Sequence, residues 1–322
     1  MAKWMVAAKK ADFNKIANDY GITPVLARII RNRDLTEDED IRKFLKGNLQ
    51  DLHSPFLLKD MDKATDLILD KINNQSAIRV IGDYDVDGIC STYILVHGLS
   101  LLGAKVDRVI PHRMKDGYGL NDNLIEEAAS EGIDTIVTCD NGIAAASQIA
   151  LASKLGMTVV VTDHHEVPYE DTEDGRRYIV PQAAAVIDPK QEDCKYPFSS
   201  ICGAVVAMKL ILALCEKIGK SSKETDAIRD GLLPFAALAT VCDVMELRDE
   251  NRIIVKYGLQ MMGHTTNKGL KALMQANGIE EKEITPYHAG FIIGPCLNAT
   301  GRLDTATRAL SLFEAEKWNE AV

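Results

Sequence analysis

The hydrophobic pattern of this chain is strongest in its middle part. Short runs of β-branched and other apolar residues alternate there with longer amphipathic stretches. Apolar runs of strand length, set between helical patterns, are typical of buried parallel strands in right-handed βαβ units. The runs predict strands over residues 78–82, 106–110, 135–139, 158–162 and 184–187.

The stretches between the predicted strands carry apolar residues at helical spacing. They predict helices over residues 89–102, 124–131 and 144–155. The stretch around residues 169–176 is acidic and has no apolar run, so it predicts a loop-like insertion before the last strand. Strand and helix alternate, which indicates an α/β fold with helices flanking a parallel β-sheet.

Both ends of the chain are predicted to be helical. Asp12 and the acidic residues after Thr36 are helix-start signals in residues 1–52, and residues 61–72 have amphipathic spacing. The predicted C-terminal helices cover 203–217, 225–244, 253–262 and 268–276, and a last one, which has no terminating signal, covers 305–322. We expect a mainly helical segment over residues 1–74 and one domain over 75–322 that includes the helical part from about residue 200.

Composition restricts the class of protein. The chain has 322 residues, of which 46% are hydrophobic and 26% charged, as in ordinary globular proteins. We expect a cytoplasmic protein without membrane contact, because no apolar stretch approaches the ~20 residues of a membrane span and the seven cysteines form no CxxC pair. The net charge of −10 argues against broad electrostatic binding of nucleic acid and leaves room for a local basic groove.

Candidate chemistry lies where three predicted strands end, at Asp83, Asp140 and Asp163. The carboxyl ends of parallel strands share one edge of a sheet, and ligands bind there. Asp85 points the same way as Asp83 on an extended segment, and Asp87 joins them only if the extended geometry persists. Carboxylate oxygens favour Mg²⁺ or Mn²⁺, so the pattern indicates a metal site for hydrolysis of a phosphate ester. An acidic or calcium-like turn at residues 83–88 and an ordinary turn at 140–142 are the alternatives.

Asp163 is followed by His164 and His165. Adjacent histidines at a strand end point in different directions, so one can bind metal while the other meets substrate. Asp163 can orient one of the imidazoles, as carboxylates do at many metal sites. The alternative is a pair of exposed loop histidines.

Weaker candidates lie elsewhere in the chain. Asp243 follows an apolar run and by itself indicates a helix-end residue. Arg302 can hold a phosphate with two hydrogen bonds, or it can be an ordinary surface arginine. His112 and Arg113 follow the strand over 106–110 and are equally ambiguous.

Taken together, the motifs resemble the DHH phosphoesterase superfamily, and within it the RecJ-type single-stranded-DNA-specific exonucleases. The resemblance spans nearly the whole chain and keeps the order of the family's motifs. The segment LHSPFLLKDMDKA (52–64) resembles the region before the first motif. The matching motifs are GDYDVDG (82–88), PHRMKDGYGL (111–120), VTCDNGI (137–143), VTDHH (161–165), IDPK (187–190), ATVCDVMEL (239–247) and GPCLNATGRLD (294–304).

The resemblance implies a role for each candidate. Two divalent metal ions, Mn²⁺ or Mg²⁺, would be held by Asp83, Asp85, Asp140, His164 and Asp243. His165 would contact the scissile phosphate and Asp163 would orient the imidazoles, and these two residues and Asp87 would form the catalytic set. Contacts with the phosphates of DNA would come from Asn298, Arg302, His112 and Arg113.

The implied activity is two-metal 5′→3′ exonuclease cleavage of single-stranded DNA in repair and recombination, with a helicase or a single-strand-binding protein as possible partners. RecJ-type proteins continue into a DHHA1 domain and often an OB-fold, so the last helix is expected to be a truncated connecting helix. Ala299-Thr300 departs mildly from the two small residues expected there.

Three other functions within the superfamily stay open. A phosphodiesterase for short oligonucleotides or cyclic dinucleotides usually lacks the N-terminal region and the segment over 294–304. A manganese pyrophosphatase has a histidine where this chain has Arg79. A non-catalytic replication scaffold loses metal ligands that this chain keeps.

Overall fold

In the computed structural model, the described residues are 5, 9, 11–111, 119–173, 175–280, 282–303 and 306–322, and at 301–303 only the backbone is described. Helices in the first part of the chain begin where the sequence predicts. The side chain of Asp12 accepts a hydrogen bond from the Lys15 amide at 2.9 Å and starts the first helix. The N-terminal helices are α1 (Phe13–Tyr20), α2 (Pro24–Asn32), α3 (Asp38–Lys46) and α4 (Met61–Asn73).

The N-terminal helices divide between two cores. Ile30, Ile41 and Phe44 belong to a small hydrophobic cluster formed by the first helices. Helix α4 instead contributes Met61 and Ile68 to the main core. The domain boundary near residue 74 stays a prediction.

A five-stranded parallel sheet forms the centre of the fold, as predicted. Its strand order is β2-β1-β3-β4-β7, so the order reverses between β1 and β3. Such a reversal is where α/β sheets open a crevice for ligands. The strands and helices of this part are β1 (Ala77–Ile81), α5 (Val86–Leu101), β2 (Lys105–Val109), α6 (Asp122–Ser130), β3 (Thr135–Cys139), α7 (Ala146–Lys154), β4 (Thr158–Thr162), β5 (Tyr169–Thr172), β6 (Gly175–Tyr178) and β7 (Ala185–Ile187).

Both faces of the sheet are buried. Alternate residues of each strand enter opposite cores: Val80 packs in the main core and Ile81 in a second one. The second core is formed with α6 and α7, and it includes Ile125 and Ile149. This two-sided burial explains why the strands are continuous apolar runs rather than alternating ones.

The acidic stretch after β4 differs from its prediction. It forms an exposed antiparallel hairpin, β5–β6, rather than a loop. Tyr169 lies opposite Tyr178, and Glu170 forms an ion pair with Arg177 at 2.5 Å. Cross-strand pairs of this kind stabilise a ribbon that has no buried face, so the hairpin leaves no apolar alternation in the sequence.

Helices make up the rest of the chain. They are α8 (Gly203–Lys217), α9 (Ser222–Cys242), α10 (Asp249–Met262), α11 (Lys268–Ala276), α12 (Pro286–His288), α13 (Gly294–Leu303), α14 (Ala306–Glu314) and α15 (Trp318–Ala321), and a π-helical turn over Ala289–Ile293 joins α12 to α13. The expectation of one helix over 305–322 is wrong, because residues 315–317 separate α14 from α15. Among the described residues, no helix is both long and apolar enough to cross a membrane.

Candidate metal centre

Four aspartates form a row along the carboxyl edge of the sheet. Ile81 pairs with Thr138, Thr138 with Val161, and Val161 with Val186. An aspartate stands two residues after each of these four paired positions. The four aspartates are Asp83, Asp140, Asp163 and Asp188. The register of the sheet therefore aligns carboxylates that are far apart in the sequence.

The turn after β1 depends on two glycines. A Cβ atom on Gly82 would lie 1.9 Å from Oγ1 of Thr92, and one on Gly88 would lie 2.4 Å from the carbonyl oxygen of Asp83. Asp85 is extended, and its Oδ1 accepts a hydrogen bond from the Gly88 amide at 3.0 Å, which starts α5. The tight packing at the glycines places Asp83 and Asp85 together at the sheet edge.

Asp87 lies beside the cluster although its backbone is helical rather than extended. Helix α5 begins at Val86, so the extended geometry ends before Asp87. Its carboxylate reaches the start of α8, where it accepts hydrogen bonds from the amides of Gly203 at 2.7 Å and Ala204 at 2.8 Å. The positive end of that helix therefore stabilises a buried negative charge beside the cluster.

His164 lies at the centre of the cluster. Its Nε2 is 3.0 Å from Oδ1 of Asp140, 3.4 Å from Oδ2 of Asp87 and 3.8 Å from Oδ2 of Asp243. Burial lowers the pKa of His164, which favours the neutral imidazole that binds metal.

Asp243 comes to the cluster from the helical part of the chain. It follows the last residue of α9, and Val244 after it has a φ of 56°, in the left-handed region. A carboxylate at the C-terminal end of a helix faces the negative end of the helix dipole, which disfavours it electrostatically. Helix stability therefore does not explain Asp243, whereas binding of a cation would.

Asp163 holds the two histidines and the loop after β3. Its Oδ1 accepts hydrogen bonds from the amides of His164 at 2.7 Å and His165 at 3.2 Å, and it lies 2.7 Å from Nδ1 of His165. Its Oδ2 accepts from the Ile143 amide at 2.9 Å. The hydrogen bond with Asp163 raises the pKa of His165, while the imidazole of His165 remains partly exposed.

The buried carboxylates repel one another. Burial, followed by the charge of Asp85, raises the pKa of Asp83 to about 7. Burial and the charges of Asp87 and Asp85 raise the pKa of Asp243 to about 7 and that of Asp140 well above its usual range. Such a set is stable in its charged form only when cations neutralise it.

The donor atoms fit divalent cations. Three overlapping groups have ligand atoms within 4.8 Å of one another: Asp83 with Asp85 and Asp140, Asp140 with His164 and His165, and Asp87 with His164 and Asp243. Oδ1 of Asp83 and Nδ1 of His164 are buried and have no hydrogen-bond partner among the described residues. Oxygen ligands with one or two imidazoles suit Mn²⁺ or Mg²⁺.

The comparison with protein families agrees with this geometry. Residues 77–240 match the model of the DHH family, N-terminal domain. The chain belongs to the DHH family. The matched residues include the sheet, the row of strand-end aspartates and the start of α8, but Asp243 lies just outside them.

Longer proteins resemble this DHH chain over nearly all of its length. It is 36% identical to the single-stranded-DNA-specific exonuclease RecJ of Bacillus subtilis over 99% of the chain and 38% of that protein. It is 33% identical to RecJ of Escherichia coli over 93% of the chain and 51% of that protein. The DHH chain thus spans between about a third and a half of the length of these two relatives.

Solved structures match the fold. The structure of RecJ in complex with Mn²⁺ from Thermus thermophilus has a TM-score of 0.76 at 30% identity, covering 96% of this chain and 42% of that one. A crystal structure of exonuclease RecJ bound to manganese has a TM-score of 0.71 at 33% identity, covering 82% of this chain and 63% of that one. The α/β fold with a parallel sheet flanked by helices is confirmed.

The residues predicted to contact DNA phosphates stay untested. Asn298 lies on α13, half-buried, and among the described residues it forms no hydrogen bond with the carboxylates. His112 and Arg113 lie outside the described residues, and so does the side chain of Arg302. Their contact with DNA phosphates stays a prediction.

Asp188 is a residue that the sequence reasoning missed. It is buried at the end of β7, and burial raises its pKa to about 7. Its Oδ1 accepts a hydrogen bond from the Lys190 amide at 2.8 Å, whereas Oδ2 has no partner among the described residues. The signal was available, because Asp188 ends an apolar run in the same way as Asp83 and Asp140.

Proposed function

We propose that this DHH protein hydrolyses phosphodiester bonds with two divalent cations, Mn²⁺ or Mg²⁺. The carrying observation is His164, whose Nε2 lies within 3.8 Å of carboxylates from three different parts of the chain, Asp87, Asp140 and Asp243. Such a concentration of negative charge around a neutral imidazole has no structural use without cations. The intact cluster also argues against a non-catalytic scaffold.

The side chains divide into two groups. Asp83, Asp85, Asp140, His164 and Asp243 would hold the cations. Bound cations would supply a nucleophile at neutral pH and neutralise charge on the phosphate. His165 is partly exposed beside them, and its raised pKa favours a protonated imidazole that donates a hydrogen bond to a phosphate oxygen. Asp163 holds that imidazole in place.

We further propose that the substrate is single-stranded DNA and that cleavage runs 5′→3′, with a role in DNA repair and recombination. The names of the relatives support the substrate, since each of the two described above is a single-stranded-DNA-specific exonuclease. The polarity and the role in repair and recombination rest on the resemblance of the motifs to RecJ-type enzymes.

Partners and location are parts of the same proposal. An exonuclease of single strands acts where a helicase or a single-strand-binding protein has exposed the substrate. All seven cysteines are free and several are buried, which suits the reducing cytoplasm.

A digestion series tests the proposed function. The purified chain is incubated with 5′-labelled single-stranded DNA, duplex DNA, short RNA, a cyclic dinucleotide and bis(p-nitrophenyl) phosphate, each with Mn²⁺, Mg²⁺ or EDTA. We expect metal-dependent release of mononucleotides from the 5′ end of single-stranded DNA and no reaction in EDTA. Preferential cleavage of the cyclic dinucleotide would show that single-stranded DNA is not the preferred substrate. Equal hydrolysis with Mn²⁺ and with EDTA would contradict the metal mechanism.

A further inference from the structure

Two aromatic rings are stacked on the surface of the helical part. Tyr287 and Phe291 are 63% and 73% exposed. Their ring centroids are 5.4 Å apart and the ring planes differ by 22°. Aromatic side chains of this size are usually well buried, so an exposed stacked pair indicates a binding surface.

The pair is held on a rigid element. Tyr287 lies in α12 and Phe291 in the π-helical turn that follows, four residues apart and therefore on one face. Ala289 and Ile293 are buried on the other side of this segment. The Thr285 amide donates a hydrogen bond to Nδ1 of His288 at 3.1 Å, which fixes the start of the segment. Single-turn π-helices of this kind occur frequently at functional sites.

This segment packs against the end of α9 that carries Asp243. Sγ of Cys242 lies 3.6 Å from the carbonyl oxygen of Ala289. A Cβ atom on Gly290 would lie 3.4 Å from Val241, and one on Gly294 would lie 2.6 Å from Sγ of Cys242. Asp243 is the next residue, and its carboxylate lies 3.8 Å from Nε2 of His164. The segment that carries the stacked pair therefore packs against the two residues that precede Asp243.

We propose that Tyr287 and Phe291 form a stacking platform for the bases of the single strand whose backbone enters the metal centre. The inference rests on the proposed function and adds the surface that recognises the bases. Every base has a flat π-face, so stacking on aromatic rings binds single strands without regard to sequence. In duplex DNA these faces are covered by neighbouring base pairs, so the platform selects single strands.

Charge restricts how a nucleic acid would bind to this chain. The chain has a net charge of −10, and carboxylates are concentrated in the candidate metal centre. The electrostatic attraction of the whole chain for DNA phosphates is therefore weak. Affinity for a polyanion must then depend more on contacts that are not electrostatic. Stacked aromatic rings beside the metal centre supply such contacts.

The test measures binding of a fluorescent oligothymidylate and of an oligonucleotide with abasic sites, both in Ca²⁺, by anisotropy. Tyr287→Ala and Phe291→Ala are each expected to weaken oligothymidylate binding about tenfold, which corresponds to about 1.4 kcal/mol and is typical of base stacking. Neither variant should weaken binding of the abasic strand. Phe291→Trp should keep the affinity, whereas Phe291→Leu, which is apolar without a π-face, should not.

Two controls separate this inference from the proposed function. Trp318→Ala removes a 41% exposed ring from α15 and should leave oligothymidylate binding unchanged. Binding of Mn²⁺, measured by isothermal titration calorimetry, reports on the metal centre alone and should be equal in wild type, Tyr287→Ala and Phe291→Ala. Wild-type affinity of both alanine variants for oligothymidylate would overturn the platform, and no hydrolysis of any phosphodiester by the wild type would overturn the proposed function.

Discussion

Asp140 lies both in the turn after β3 and in the candidate metal centre. Its φ is 59°, in the left-handed region that asparagine and aspartate tolerate better than most residues. Its carboxylate is buried, 3.0 Å from Nε2 of His164, and it shares a possible cation position with Asp83 and Asp85. Gly203 leaves the space for it, because a Cβ atom there would lie 2.9 Å from Cβ of Asp140.

Replacing Asp140 by asparagine separates chemistry from folding. Asn accepts the left-handed backbone, whereas Ala would add strain of about 1 kcal/mol. We expect Asp140→Asn to lower Mn²⁺-dependent hydrolysis about a thousandfold or more, because several kcal/mol of cation binding and charge stabilisation are lost. The metal-free variant should unfold at the same or a higher temperature than wild type, since one repelling charge is gone. Thermal unfolding checks the stability of the variant, and hydrolysis rates check its activity. Wild-type-like turnover would contradict the proposal that Asp140 is a metal ligand.

The carboxylates also predict how pH affects the metal-free protein. The pKa values of Asp83 and Asp243 are about 7 when folded, and both lie near 4 when unfolded. The folded chain therefore binds more protons than the unfolded chain between these values, and its stability falls as pH rises through that window. We expect a loss on the order of a few kcal/mol from pH 5 to pH 8 in EDTA.

Mn²⁺ should reverse this dependence, because it binds the deprotonated carboxylates of the folded state. Urea unfolding at pH 5, 6, 7 and 8, with EDTA or saturating Mn²⁺, measures both trends. Stability in EDTA that rises steadily from pH 5 to pH 8 would show that the carboxylates are not strained. Asp83→Asn should have a weaker dependence than wild type.

At the scale of elements, α8 is capped from a distance. Its N-cap residue, Cys202, forms no side-chain capping bond. The carboxylate of Asp87 on α5 accepts hydrogen bonds from the amides of Gly203 and Ala204 instead. The residue that caps α8 thus also lies in the carboxylate cluster, so stability and the proposed function both depend on this contact.

Two variants of Asp87 separate its capping of α8 from its role in the carboxylate cluster. Asp87→Asn keeps an acceptor for one of the two α8 amides, whereas Asp87→Ala removes both acceptors. We expect the alanine variant to be less stable than the asparagine variant by about 1 kcal/mol, the usual value of a helix cap, and both to lose most hydrolysis. Ser221→Ala, which removes the capping box of α9, should cost a similar amount and leave hydrolysis intact. Equal urea stability of the two Asp87 variants would contradict the capping role.

At the scale of the whole molecule, a buried ion pair joins distant parts of the chain. Nζ of Lys209 on α8 lies 2.7 Å from Oε2 of Glu250 on α10, and both side chains are at most 2% exposed. Lys209 also donates to the carbonyl of His53 at 2.6 Å, and Tyr196 donates to Glu250. The segment before α4 is thereby attached to the helices that position Asp243.

Lys209→Met should destabilise the protein by roughly 3–5 kcal/mol, because it leaves the carboxylate of Glu250 buried without a partner. The double variant Lys209→Met/Glu250→Gln should recover part of this loss. Lys59→Met, which breaks an exposed pair with Asp193, should cost less than about 1 kcal/mol. Urea unfolding of the three variants measures these differences, and a Lys209→Met loss no larger than that of Lys59→Met would refute the argument.

Local sequence determined the central sheet and part of the metal centre. Each apolar run with a terminal aspartate specifies a strand and a residue at its carboxyl end, and the parallel arrangement follows from the alternation with helices. Asp83, Asp140, His164 and His165 could therefore be proposed as site residues from the sequence alone. Only the resemblance to the DHH family pointed to Asp243, because a helix-end aspartate has no distinguishing local pattern.

Tertiary structure decided the contacts that complete the site. The register of β1, β3, β4 and β7 aligned the aspartates and added Asp188. The packing of α8 against α5 gave Asp87 its partners, and the packing of α9 brought Asp243 to His164. Each contact joins segments distant in sequence, so no local periodicity encodes it. The same holds for the exposed stack of Tyr287 and Phe291, which becomes visible only when burial is known.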